Sequence, residues 1–306
     1  MIWVGLCLLL LVFAMPFWIE ARRKPVDASF RNAAPGRFTT LSQGVTHYDW
    51  IGPETGPVAI CVHGLTTPSY VWRGVAQGLA DDGYRVLIYD LYGRGYSDRP
   101  AGLQDRAFFL RQLDDLLNDQ DVNGKFVLLG HSMGGAIATH FAAAHPARIA
   151  QLILVTPAGI MLSIDRLTRF IVSTPVIGDW LMYAFYPRQL RAYTEAERNL
   201  PTSVPDITDM QQAELDRKGF VPAVLSSMRG FLIRPLRTEH ESLRAAGVPV
   251  RAIWGRLDPV IPISAKDRLA EWNPDAQQHV VDAGGHGLPY TDTEEILRFL
   301  RNTTGS

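Results

Sequence analysis

The stretch KFVLLGHSMGGAIATHFAAAHP, residues 125–146, decides the fold. Phe126, Val127, Leu128 and Leu129 form a short apolar run, as a strand buried on both faces requires. The Ala-rich segment 133–145 then reads as a helix packed tightly on a sheet, and Pro146 stops it. Between them lies GHSMGG, in which Gly130, Ser132 and Gly134 match G-x-S-x-G. A serine on so sharp a turn sits in strained backbone geometry, and glycines are needed where neighbouring side chains would collide with it.

Outward from this unit, β-like runs alternate with helical stretches, which predicts a largely parallel sheet with helices on both faces. Towards the N-terminus, segments 45–50 and 58–62 read as the strands that start the sheet. The turn-rich Gly52-Pro53-Glu54-Thr55-Gly56-Pro57 joins them as a hairpin or tight connection. A helix over 70–81, a strand over 85–89 and a helix over 105–118 follow, the last with Leu110, Leu113, Leu116 and Leu117 at helical spacing. After the strand 151–155 the regularity stops. Residues 158–237 carry apolar patches such as Phe170-Ile171-Val172 and 180–186, and read as an inserted helical cap. Strands at 250–254 and 279–282 and an amphipathic helix at 293–301 complete the pattern. The expected organisation is a leader over 1–21, a linker over 22–37, core segments over 38–157 and 238–301 flanking the cap, and a tail over 302–306.

A chain of 306 residues with 47% hydrophobic and 20% charged residues can bury a sizeable core, which excludes a disulfide mini-protein and wholesale disorder. Thirty Lys and Arg against 31 Asp and Glu give a net charge of -1, so there is no basic footprint for nucleic acid. The two cysteines, Cys7 and Cys61, lie in the apolar leader and in a core strand, which argues against a disulfide or a thiolate metal site. Residues 2–19 are uncharged, near the lower length limit for crossing a bilayer as a helix. Arg22, Arg23 and Lys24 follow this run, whereas a signal peptide would place charge before it. A membrane anchor with a cytoplasmic body is the expectation; a cleaved signal leading to a periplasmic or secreted protein is the alternative. Asn302-Thr303-Thr304 matches a glycosylation sequon in the tail.

A serine hydroxyl is a poor nucleophile near neutral pH. It needs a general base in hydrogen-bond reach and a carboxylate that fixes the base's tautomer. Asp258, in IWGRLDPVIP, and His286, in VVDAGGHGLP, both follow late strands, and parallel strands put such loops at the edge that presents Ser132. Of the eight histidines the others fit less well. His131 adjoins Ser132 and is expected to point elsewhere, His140 and His145 sit on the next helix, and His47 and His240 lack a glycine-rich loop. Asp282, four residues before His286, is expected to pack or cap. An acyl transfer also needs N–H donors for the developing oxyanion. Met133 offers one, and Leu65, after the strand ending in Cys61-Val62-His63-Gly64, offers the second, with His63 expected to shape that loop by hydrogen bonding.

Together, HGL at 63–65, DLYGRGYSD at 90–98, GHSMGG, WGRLDP and GGHG resemble the α/β-hydrolase superfamily over about residues 38–300. The serine nucleophile, VTPAGI at 155–160, the apolar cap and the leader are similar to membrane-associated monoacylglycerol lipases and related carboxylesterases. Haloalkane dehalogenases and epoxide hydrolases, whose nucleophile is an aspartate, are less similar. The resemblance implies nucleophile, acid and base roles for Ser132, Asp258 and His286, and hydrolysis of apolar acyl or glyceryl esters without cofactor or metal. Neither GRGYSD nor any other segment forms a phosphate-binding loop, and no H-E-x-x-H occurs. Trp180, Met182, Phe185 and Phe231 suggest an acyl-binding surface in the cap. Two alternatives remain open: carbon-carbon hydrolysis or acyl transfer with the same three residues, and a catalytically silent, membrane-bound binding module.

Overall fold

In the computed structural model, which describes residues 2–232 and 234–302, the chain begins with α1, Ile2–Ala21, and a short α2, Ala28–Arg31. Two strands follow, β1 at Arg37–Leu41 and β2 at Gly44–Ile51, and then β3, Val58–Val62. Next come α3 at Arg73–Asp81, β4 at Arg85–Tyr89, α4 at Arg106–Asp119, β5 at Phe126–His131, α5 at Met133–Ala144 and β6 at Ile149–Val155. Helices α6, Arg166–Ser173, α7, Ile177–Ala196, α8, Ile207–Glu214, and α9, Phe220–Gly230, are inserted before α10, Arg237–Ala245. The chain returns to the sheet with β7, Val250–Gly255, α11, Ser264–Trp272, and β8, Gln277–Val281, and ends with α12, Leu288–Thr291, and α13, Thr293–Arg301.

The described strands form one eight-stranded sheet in the order β1-β2-β4-β3-β5-β6-β7-β8. From β4 through β8 every neighbouring pair is parallel, while β2 runs antiparallel to both β1 and β4. The apolar runs foreseen in the centre are buried for that reason: Ile60, Val62, Leu128, Leu152 and Leu154 enter one apolar layer, and Ala59, Cys61, Leu129 and Ile153 the other. Burying one such leucine contributes about 2 kcal/mol.

Two expectations about the sheet's start need correction. β1, unforeseen and starting inside the expected linker, forms the edge. Strands β2 and β3 are not a hairpin, because β4 lies between them, antiparallel to one and parallel to the other. The segment after β2 is therefore a crossover. Gly52 adopts a φ of +102°, and a Cβ there would strike Ala80 and the carbonyl of Tyr84, so glycine is required for the chain to pass α3.

Nor is the expected linker free. Lys24 bridges to Arg217, Phe30 stacks on Tyr96 with its other contact under the Arg217 guanidinium, and Arg31 pairs with Asp98 at 2.5 Å. The leader docks too. Phe17 meets Tyr183 edge to face, and Glu20 accepts a hydrogen bond from the Gly219 amide at 2.7 Å. The rest of α1 is largely exposed, with Leu8, Leu9, Leu10 and Leu11 in the open. Beyond Asn302 the tail, with Thr303 and Thr304 of the sequon, lies outside the described residues.

Candidate active site

β5 ends at His131 and α5 starts at Met133, so the turn between them is Ser132 alone. Its φ of 52° and ψ of −120° place it in strained backbone space that a non-glycine residue rarely adopts. The flanking glycines make this turn possible. A Cβ on Gly130 would collide with the carbonyl of Gly134, and one on Gly134 with the carbonyls of Val62 and His63. Two backbone bonds lock the turn, from the Ser132 amide to the carbonyl of Val155 at 3.1 Å and from Ala158 back to the carbonyl of Ser132 at 2.9 Å.

Ser132, Asp258 and His286, separated widely in the chain, meet at the C-terminal edge of β5, β7 and β8. The Ser132 hydroxyl lies 3.0 Å from Nε2 of His286, and Nδ1 of His286 lies 2.7 Å from Oδ2 of Asp258. Oδ1 of Asp258 accepts from the amides of Val260, at 2.7 Å, and Ile261, at 2.9 Å. With its carboxylate so held, Asp258 accepts a hydrogen bond from Nδ1–H, which keeps the proton on Nδ1 and leaves Nε2 as an acceptor facing the serine O–H. Asp282 is not part of this line. It pairs with Arg256 at 2.7 Å, exposed to solvent.

The Leu65 and Met133 amides donate to no other group among the described residues, and a Cβ on Gly64 would press on the Cβ of Ser132 at 3.2 Å. The Leu65 loop is held by His63 and Arg94. The Leu91 amide donates to Nε2 of His63 at 2.9 Å, so the ring's proton sits on Nδ1, which donates to the carbonyl of Gly64 at 2.8 Å. Burial pushes this imidazole down to about 4, so it stays neutral. Arg94, fully buried, donates from Nε to the carbonyl of Leu65 at 2.9 Å and from Nη2 to Ser227 Oγ at 2.8 Å. Burial lowers its guanidinium to about 9.

Sequence reasoning missed three supports of the site. Arg94 lies inside the GRGYSD turn, and an arginine flanked by two glycines was its only signal. Asp90, at the start of the same motif, accepts from the amides of Ser69 and Tyr96 and pairs with His47 at 2.8 Å. Burial alone would raise its carboxyl, but the His47 charge and hydrogen bond hold it well below the usual range. His131 does not point away from the site: its Nε2–H donates to the backbone carbonyl of His286 at 2.9 Å. Burial, then the nearby His286, push its ring down to about 3.

Above Ser132 lies a cavity of about 260 Å3 walled mainly by apolar side chains, among them Leu65, Leu162, Leu190, Met228, Leu232 and Val260. Its walls come from the inserted helices as well as from the sheet edge. None of the four residues expected on an acyl surface lines it. Met182 packs in the core of the inserted helices, and Phe231 packs against Phe109 and His140. Trp180 turns to α1, with Nε1 3.4 Å from the carbonyl of Val12, and Phe185 stands half exposed beside it. The apolar patches that drew attention to them serve packing: Trp180 against α1, Met182 within the insertion, and Phe231 against α4 and α5.

The family model described as alpha/beta hydrolase fold matches residues 57–293. A pimeloyl-[acyl-carrier protein] methyl ester esterase of Vibrio campbellii is 29% identical over 258 residues, 84% of this chain and 98% of its own. A 2-hydroxymuconate semialdehyde hydrolase of a Pseudomonas species is 29% identical over 237 residues, 74% of this chain and 77% of its own. Among solved structures, an esterase from Exiguobacterium antarcticum superposes with a TM-score of 0.72 at 20% identity, over 87% of this chain and 98% of that one. Strand order, the strained serine turn and the match over most of the chain together lead to one assignment: the chain belongs to the alpha/beta hydrolase fold family.

Proposed function

We propose that the protein is a membrane-tethered serine hydrolase that cleaves carboxylic esters of apolar acyl groups. The observation that carries this reading is the hydrogen-bonded line from Asp258 through His286 to Ser132 at the floor of an apolar cavity. As Ser132 Oγ attacks the ester carbonyl, its proton passes to Nε2 of His286, and Asp258 stabilises the imidazolium. The oxyanion accepts from the amides of Leu65 and Met133. Collapse of the tetrahedral intermediate breaks the carbon-oxygen bond, and the leaving alkoxide takes the proton back from His286. Water then gives a proton to His286 and attacks the acyl-enzyme, and its collapse returns the acid and the Ser132 hydroxyl. In this reading residues 158–237 form the cap over the cavity, between core segments 38–157 and 238–301.

The anchor rests on α1, a 20-residue helix of mean hydropathy 2.5. Its exposed apolar surface and the following Arg22, Arg23 and Lys24 suit a bilayer with the body on the cytoplasmic side.

The Pseudomonas relative, by its name a semialdehyde hydrolase, favours a second reading in which the same residues hydrolyse a carbon-carbon bond. One comparison separates the two. A fluorophosphonate probe labels Ser132 in the wild type and not in Ser132→Ala. Side-by-side turnover of p-nitrophenyl esters and vinylogous diketones then shows preference for the esters. Labelling that persists in Ser132→Ala overturns the serine assignment, and preference for the diketones replaces the ester reading. A probe that labels neither protein supports a silent binding module.

A further inference from the structure

Beside the cavity over Ser132 lies a larger one of about 760 Å3, and the two share Leu162, Ile164 and Leu232. Four arginines line it, Arg169 on α6, Arg229 on α9, Arg234 after α9 and Arg268 on α11, and no carboxylate does so among the described residues. These four are not equivalent. Arg229 is consumed by the fold: it donates to Asp179 at 2.6 Å and to the carbonyls of Val172, Ile171 and Thr174. Among the described residues Arg268 has one ion-pair partner, the exposed Glu271, at 3.5 Å. Arg169 and Arg234 are exposed, and among the described residues neither side chain has a carboxylate or hydrogen-bond partner. Asp165, the carboxylate one turn before Arg169, is already occupied by Thr168, whose amide and hydroxyl it accepts at 2.8 Å each.

The result is a concave wall with an apolar floor and uncompensated positive charge at its rim. A cleft lined by one sign of charge focuses its field and concentrates ligands of the opposite sign. Guanidinium groups are the donors best matched to the paired oxygens of a carboxylate or phosphate. Because Leu162, Ile164 and Leu232 line both cavities, the two lie side by side, and one molecule passing these residues would present a carbonyl to the serine and an anion to the arginines.

We propose that this second cavity is a substrate subsite for an anionic group, carboxylate or phosphate, carried by the ester. That the ligand is a substrate rests on the serine-hydrolase reading; that the cavity holds an anion does not. Apolar walls take the chain between the two ends, so the favoured substrate class is an acyl ester with one charged terminus.

The test has two parts, both on the full chain in nonionic detergent. Calorimetric titration with n-hexyl phosphate, hexanoate and 1-hexanol compares one apolar chain under three headgroups. At least one anion binds about fivefold or more tightly than the alcohol, and the tighter of the two identifies the headgroup. The advantage disappears in the doubly substituted Arg169→Gln/Arg234→Gln protein, whose thermal midpoint certifies its fold. Equal binding of anions and alcohol, or an advantage that survives the double substitution, overturns the proposal. Kinetics then ties the subsite to turnover: the ratio of KM for p-nitrophenyl hydrogen adipate to KM for p-nitrophenyl hexanoate rises about fivefold or more in the double variant, with kcat moving little. A ratio that stays fixed removes the subsite from catalysis. Anion binding by a protein inert to the serine probe would instead refute the hydrolase reading and leave the anion site standing.

Discussion

The Nε2–H of His131 donates to the backbone carbonyl of His286 across 2.9 Å, so the residue before the serine holds the loop that presents the histidine. Thr156 also approaches this carbonyl, at 3.4 Å. His131 is thus a positioning residue. His131→Leu removes the donor, and kcat for a p-nitrophenyl ester is expected to fall about tenfold or more with KM little changed. His131→Gln, whose amide can donate to the same carbonyl, restores most of the rate. Equal losses in both variants would show that packing, and not this hydrogen bond, is what the site needs.

The same histidine contributes to acid sensitivity. Burial lowers His63 to about 4, His131 to about 3 and His240 to about 4, each below the ordinary value near 6.5 of an unfolded chain. Their stabilising effect is complete above that ordinary value and is lost as pH falls from it towards the folded values. The buried His47 runs the other way, since Asp90 raises it against the effect of burial, and its contribution is present in acid and lost as pH rises through the folded value. Among the histidines, these three and His140, which burial also lowers to about 4, outweigh His47, so their summed slope is downward in acid. Each neutral ring costs up to about 2 kcal/mol at about pH 5. Denaturant titrations at pH 8 and pH 5 should show this loss in the wild type, and a smaller one in His131→Gln.

Asp258→Asn separates the two jobs of this carboxylate. The asparagine carbonyl can still accept from the amides of Val260 and Ile261, so the turn survives. The amide nitrogen facing His286 then donates where an acceptor is needed, and the imidazole presents N–H to the serine. The rate constant is expected to drop about 10⁴-fold with the thermal midpoint nearly unchanged. A drop of less than about tenfold would remove Asp258 from the proposed mechanism.

Glycines in the motifs are not interchangeable. Gly134→Ala drives a methyl group into the carbonyls of Val62 and His63 and should destabilise by about 3 kcal/mol or more, with loss of soluble protein. Gly285→Ala meets nothing within 4 Å and should change stability by less than about 1 kcal/mol. Unfolding curves of the two variants provide the comparison.

Removing residues 1–18 leaves Glu20, Lys24 and Phe30 to hold the start of the body. The full chain should float with liposomes in a density gradient, while the shortened chain stays in the aqueous layer and still hydrolyses a water-soluble ester. Flotation of the shortened chain would place the membrane contact outside α1.

Local signals were enough to read the centre of the fold. The apolar runs of β3, β5 and β6 and the G-x-S-x-G turn depend on burial and sterics within a few residues, and these are visible in the sequence itself. β1 was hidden because Arg37-Phe38-Thr39-Thr40-Leu41 is a half-exposed edge strand, without the apolar run that marks a buried one. The β2 to β3 connection misled because turn composition shows that the chain bends and not which strand it joins next. Ser132, Asp258 and His286 could be foreseen from strand ends, whereas the carbonyl contacts of Arg94 and His131 depend on loops packing from far apart in the chain. For the same reason the sequence did not tell that Trp180, Met182, Phe185 and Phe231 lie outside the lining of the cavity over Ser132: apolarity marks a side chain for burial but does not choose between neighbouring helices and a ligand as its cover.

The docked segment after α1 has a mechanical consequence. Lys24, Phe30 and Arg31 are fastened to Arg217, Tyr96 and Asp98, so no slack remains between the apolar leader and the catalytic body. With α1 in a bilayer, the enzyme would ride as a fixed turret: the height and tilt of its cavity mouth over the lipid surface would be set by the fold, and a substrate would have to come within that one line of approach.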